Sequence, residues 1–89
     1  MKVIKIGAIW CPGCLVMRPR WNEIEKEYSW LETINYDYDD DEEEVKKWNV
    51  GKTLPVYIFL DKEGNEITRL VGEHSKKKLE ETILENQDK

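Results

Sequence analysis

The chain has 89 residues, of which 37% are charged and 39% hydrophobic, and its net charge is −5. That is room for a single domain, residues 1–89, near the lower size at which a core holds without covalent staples. The acidic balance argues against nucleic acid or an anionic membrane surface as a partner, and no apolar run is long enough to span a bilayer.

Val3-Ile4-Lys5-Ile6-Gly7-Ala8-Ile9 is a β-branched run that predicts a mostly buried strand. Met1-Lys2 leads directly into it rather than into a signal peptide, so the expected compartment is the cytoplasm. From Cys11 the pattern changes. Cys14, Met17, Trp21, Ile24 and Tyr28 recur at spacings of three and four, one face of a helix. Pro12 suits the first helical position, and Pro19, further in, predicts a kink. Leu31 to Tyr38 reads as a second strand. The acidic run Asp39 to Glu44 reads as a helix N-terminus with carboxylates complementing the dipole. Val45 and Trp48 give that short helix its apolar side, and Gly51 is its expected stop.

Val56-Tyr57-Ile58-Phe59-Leu60 is an evident strand after Leu54-Pro55, and Asp61-Lys62-Glu63-Gly64 is a hairpin turn. Glu66 to Val71 returns as a fourth strand ending at Gly72. Ser75 is the expected N-cap of a last helix with Leu79, Ile83 and Leu84 on its buried side. Lys76-Lys77-Lys78 opposes that helix's dipole and reads as a solvated face. The predicted order is βαβαββα.

The only two cysteines form Cys11-Pro12-Gly13-Cys14, at the junction of the first strand and first helix. A thiol at a helix start meets unpaired amides and a dipole that favour thiolate, the nucleophile of disulfide exchange. A second thiol three residues on can resolve a mixed disulfide. Structural zinc usually takes four ligands, and the chain offers one His and no second cysteine pair, so no metal is expected. Redox chemistry is the favoured reading, with the dithiol itself as redox group and no other cofactor.

Trp10-Cys11-Pro12-Gly13-Cys14 resembles the redox motif of the thioredoxin superfamily. Pro19 falls where that family bends its active-site helix, Leu54-Pro55 resembles its cis-proline site, and Gly64 and Val71-Gly72 repeat its hairpin and closing glycine loop. The resemblance implies an α/β fold. A four-stranded mixed sheet has its first strand central, the second parallel to it and the last two antiparallel, with helices on both faces. Set against the family, the sequence starts at the strand before the redox motif and matches the minimal core, also the size of a glutaredoxin.

The resemblance also assigns roles. Cys11 is implied as the attacking thiolate and the more exposed of the pair, and Cys14 as the resolving, more buried thiol. Trp10, Pro12, Gly13, Leu54, Pro55 and Gly72 form the implied substrate-binding rim, with Pro55 in cis and the Leu54 backbone beside the sulfurs. His74 is a possible neighbour of that rim, or a plain turn residue. Lys5 stands where thioredoxins carry a buried acid that takes the proton of the second thiol. A lysine cannot act as that carboxylate; it is expected to snorkel to water, or else to lie near the sulfurs and favour thiolate.

The expected activity is thiol–disulfide exchange that reduces protein disulfides, in a monomer fed by a reductase or by glutathione. The Pro-Gly order between the cysteines departs from both thioredoxin and glutaredoxin usage, and Thr53-Leu54-Pro55 leans toward glutaredoxins. A glutathione-dependent enzyme is therefore one alternative. A non-catalytic interaction module on the same scaffold is another.

Overall fold

The computed structural model describes residues 1–89. In chain order it comprises β1 (Lys2–Gly7), α1 (Pro12–Glu27), β2 (Glu32–Asp37), α2 (Glu42–Lys47), β3 (Val56–Leu60), β4 (Glu66–Val71) and α3 (Lys76–Asn86). The four strands form one sheet in the order β2-β1-β3-β4. β1 runs parallel to β2, and β3 is antiparallel to both β1 and β4. This is the mixed βαβαββα sheet the sequence predicts.

The central position of β3 explains its unbroken apolar run, since all five of its residues are buried. Its side chains alternate between two layers. Tyr57 and Phe59 join Val3 of β1 beneath Met17, Trp21 and Ile24 of α1 and Leu79 and Ile83 of α3. Val56, Ile58 and Leu60 join Ile4 and Ile6 on the other face, covered by Val45, Trp48, Tyr36, Val50 and Leu54. α1 is thereby seated on one face by its own periodic stripe, and the short α2 closes the other.

α1 runs without a break through Pro19 from Pro12 at its first position to its C-cap, Tyr28. The acidic run has a use the sequence does not show. Asp37 Oδ1 accepts the N–H groups of Asp39 and Asp40 at 2.8 and 3.0 Å, and Asp41 Oδ2 accepts that of Asp37 at 2.7 Å. These bonds fold the turn after β2, as short acidic side chains do. Only Glu42, Glu43 and Glu44 sit in the first turn of α2. α2 stops at Asn49, whose φ of 51° is left-handed, rather than at Gly51. In the hairpin, Asp61 Oδ1 accepts from Glu63 and Asn65, and Gly64 supplies a φ of 86°.

One expectation fails in α3 and another holds in part. Leu84 is 45% exposed; the buried positions are Thr82 and Asn86 beside Leu79 and Ile83. Both polar side chains return to the helix backbone, Thr82 to the Lys78 carbonyl at 2.8 Å and Asn86 to the Thr82 carbonyl at 2.7 Å, which lets them be buried. The lysine run is a solvated face at Lys77 and Lys78, which are exposed, whereas the Lys76 ammonium lies 2.7 Å from Glu27 and 3.5 Å from Glu23 of α1.

Phe59 is fully buried between β1, α1 and α3. Phe59→Ala is expected to cost about 3–5 kcal/mol in urea denaturation, whereas Leu84→Ala should stay within about 0.5 kcal/mol.

Candidate redox site

β1 ends at Gly7, and a tight turn closed by the Cys11 N–H on the Ala8 carbonyl at 3.2 Å delivers Cys11 to the start of α1. Cys11 is the N-cap. Its backbone is extended, and its Sγ accepts the backbone N–H of Cys14 at 3.2 Å. The bond places an otherwise unpaired helix amide on the sulfur, so negative charge there is stabilised by a donor and by the helix dipole. Both cysteines are free thiols.

Cys14 lies one turn further on, against the end of β1. A Cβ added to Gly7 would stand 3.0 Å from Cys14 Sγ. Burial, then the hydrogen bond with Cys11, push the Cys14 thiol up to about 11. Cys14 therefore keeps its proton at neutral pH. Tyr57 of β3 lies under the same turn; burial, then the charge of Cys14, hold its phenol well above the usual range.

The rim is built from three loops. Trp10 is 58% exposed, and its indole N–H donates to Asp39 Oδ2 at 2.7 Å, tying it to the turn after β2. Its ring meets Tyr38 edge-on at a centroid distance of 6.1 Å. The Leu54–Pro55 peptide bond is cis. A Cβ on Gly13 would lie 3.3 Å from Pro55 Cδ and 3.7 Å from the Leu54 carbonyl oxygen, so that loop abuts the dithiol turn. Gly72, with φ of 87°, donates its N–H to the Pro55 carbonyl at 2.8 Å and fixes the third loop beside the second.

The thioredoxin family model matches residues 1–85. The chain belongs to the thioredoxin family. It is 30% identical over 83 residues to thioredoxin from Pongo abelii, a match covering 93% of this chain and 76% of the relative. It is 32% identical over 81 residues to thioredoxin H2-1 from Oryza sativa subsp. japonica, covering 91% of this chain and 56% of that protein. The solved structure of Fasciola hepatica thioredoxin matches with a TM-score of 0.86 at 32% identity, over 96% of this chain and 79% of that one. Thioredoxin NaTrxh from Nicotiana alata gives 0.87 at 29% identity, over 96% and 71%.

In this thioredoxin-family protein the sequence-predicted residues Trp10, Cys11, Pro12, Gly13, Cys14, Leu54, Pro55 and Gly72 meet at one end of the sheet. The burial order of the cysteines is reversed. Cys11 is 4% exposed and Cys14 is the half-buried one. The N-cap geometry folds Cys11 Sγ back over the first turn toward the Cys14 amide, while Gly7 puts no side chain over Cys14. Lys5 does not snorkel. Its side chain is 12% exposed; its ammonium lies 3.1 Å from Glu25 Oε1 and 5.2 Å from the centroid of the Trp21 ring. Thr33 also donates to that carboxylate oxygen. His74 is turned to its own loop, with Nε2 3.0 Å from the Val71 carbonyl and its own carbonyl taken by Arg20. Glu73 is the member of that loop that reaches the dithiol turn, its Cγ 3.4 Å from a Cβ placed on Gly13.

Sequence reading missed Asp39, Glu25, Tyr57 and Glu73, because each reaches the site by a contact across the fold. Gly7 carried a readable signal: a glycine inside a β-branched run marks a close approach by another part of the chain.

A thiol that binds its proton more tightly folded than unfolded stabilises the fold at low pH and loses that contribution as pH rises. The reduced protein should therefore lose stability as pH climbs from 9.0 to about 11, the interval over which Cys14 is shifted. Cys14→Ser should flatten that part of the profile, measured by urea denaturation at stepped pH under reductant. An unchanged slope would show that the Cys14 proton is not held in this way.

Proposed function

We propose that this thioredoxin-family protein is a thiol–disulfide oxidoreductase that reduces disulfides in protein substrates. The carrying observation is the pairing of unlike thiols in one helical turn: Cys11 Sγ accepts the Cys14 amide, and Cys14 is pushed up to about 11. Unlike thiols divide the work of a two-step exchange.

In the first step the Cys11 thiolate attacks one sulfur of the substrate disulfide. An S–S bond forms between Cys11 and substrate, and the other substrate sulfur leaves as a thiolate. In the second step Cys14 loses its proton and attacks Cys11 Sγ, forming the Cys11–Cys14 disulfide and releasing the second substrate thiolate. The substrate gains two electrons and the protein loses two. Trp10 and the loops of Pro55 and Gly72 offer an apolar, backbone-lined rim on which an extended substrate segment can lie. The redox group is the dithiol itself, so the reading calls for no cofactor.

Limiting iodoacetamide at neutral pH should label Cys11 ahead of Cys14, because burial and the hydrogen bond with Cys11 hold the proton on Cys14. Peptide mass spectrometry reads the ratio, and predominant Cys14 labelling would reverse the roles. Cys14→Ser should accumulate mixed disulfides with reducible proteins, and Cys11→Ser should not. Turnover of insulin with dithiothreitol should fall to background in both variants. If the wild-type protein shows no turnover, the interaction-module reading replaces the enzyme.

A further inference from the structure

The loop after β4 is locked on both sides of one acidic residue. Gly72 donates its N–H to the Pro55 carbonyl at 2.8 Å. His74 donates its N–H to Met17 Sδ at 3.4 Å, and its carbonyl accepts from Arg20 at 2.8 Å. Glu73, between them, is exposed. Its stem packs against the dithiol turn: Cγ stands 3.4 Å from a Cβ placed on Gly13, in the notch where Pro55 Cδ lies 3.3 Å from the same point. The carboxylate is one bond beyond that Cγ. It makes no ion pair, whereas Glu25, Glu27 and Glu66 are held by Lys5, Lys76 and Arg69. Arg20, which reaches the next residue of the loop, donates to the His74 carbonyl and to Met17 Sδ instead. Ile9, Trp10 and Val71, the exposed side chains beside the dithiol turn and this loop, are apolar. Asp39, the acid at the Trp10 side, is engaged with the indole N–H.

We infer that Glu73 sets substrate choice at this site, favouring disulfides whose attacked cysteine has Lys or Arg within two residues and disfavouring those flanked by Asp or Glu. The inference rests on the proposed disulfide chemistry and names its substrate class. An extended segment rises about 3.3 Å per residue. A segment that places its sulfur on Cys11 therefore carries its next one or two side chains past Gly13 on the side of the Gly72 loop. There a cation gains an unshared carboxylate, and an anion meets like charge.

In the exchange itself the Cys11–substrate S–S bond forms, the substrate S–S bond breaks, and the departing sulfur leaves as a thiolate with the electron pair. Glu73 takes no part in those bonds; it acts on where the segment lies. Its charge bears on Cys11 equally whatever the substrate, so a ratio between substrates isolates the selection.

The test uses three symmetrical peptide disulfides, alike except for Lys, Glu or Ala on each side of the cysteine. The prereduced protein reduces them at low salt, and released peptide is followed by chromatography. The rate ratio of the Lys peptide to the Glu peptide should fall about threefold in Glu73→Gln, the scale of one exposed ion pair, and about tenfold in Glu73→Lys. Relative to the Ala peptide, the Lys peptide should slow and the Glu peptide should speed up. An unchanged ratio, or an equal change for all three peptides, would overturn the inference. Glu81→Gln makes the same change of net charge on α3 and should leave the ratio where it is. An equal fall there would assign the preference to overall charge and overturn the role of Glu73. Raising the salt to about 1 M should erase the difference between wild type and Glu73→Gln; a difference that persists would overturn charge as its cause. No reduction of any peptide by the wild-type protein would remove the oxidoreductase reading and this inference with it. Reduction at an unmoved ratio would remove this inference alone.

Discussion

The close approach of Cys14 to the end of β1 is the contact on which the site depends. Gly7 presents no side chain, so the sulfur sits where a Cβ would stand only 3.0 Å away. That closeness sets the first turn of α1 down on the sheet. The turn then has to begin at Cys11, with Pro12 filling the one helical position that needs no donor. Once α1 starts there, Met17, Trp21 and Ile24 fall onto Val3, Tyr57 and Phe59, and the long stripe of the helix packs along the central strands. The dithiol is thus held by the core through α1 and by the backbone of β1 from below. The loops of Pro55 and Gly72, bonded to each other, supply the third side.

The fold was legible because its signals are local and mutually consistent. β3 is apolar throughout because it is central, and the stripe of α1 repeats because one face is buried. Asp61 and Gly64 mark a turn whose bonds stay within five residues. The rim residues were legible through the motif and the family resemblance. What was not legible depends on partners distant in sequence. Lys5 reads as a snorkelling residue until Glu25, twenty residues on, and the Trp21 ring are placed beside it. Leu84 reads as core because it is apolar. The structure instead buries Thr82 and Asn86, whose polar atoms are satisfied by the helix itself. The exposure of the two cysteines was inverted because it turns on a χ angle at the N-cap and on a missing side chain at Gly7, neither of which has a periodic signature.

Lys5 and Glu25 make the layer beneath α1 unlike the rest of the interior. Withdrawing an ammonium and a carboxylate from water costs more than packing two apolar side chains of the same size, and the pair recovers that cost only with good geometry and further hydrogen bonds. Thr33 and the Trp21 face supply some of that compensation. On stability alone, aliphatic residues would serve this interface at least as well. The polar layer continues outward through Asn35 and Asp37 of β2 and Arg18 and Asn22 of α1, so it opens to solvent and does not close into a core.

That opening changes what the two sulfurs can meet. Cys11 is covered by the fold of its own turn, with its sulfur on the Cys14 amide. Cys14 lines the cleft between α1 and β2. On the proposed chemistry the two steps then differ in geometry as well as in thiol basicity. On that chemistry the substrate disulfide meets the sulfur that accepts the Cys14 amide, and Cys14, holding its proton, acts second. The unlike surroundings of Cys11 and Cys14 thus give each step of the proposed exchange its own sulfur.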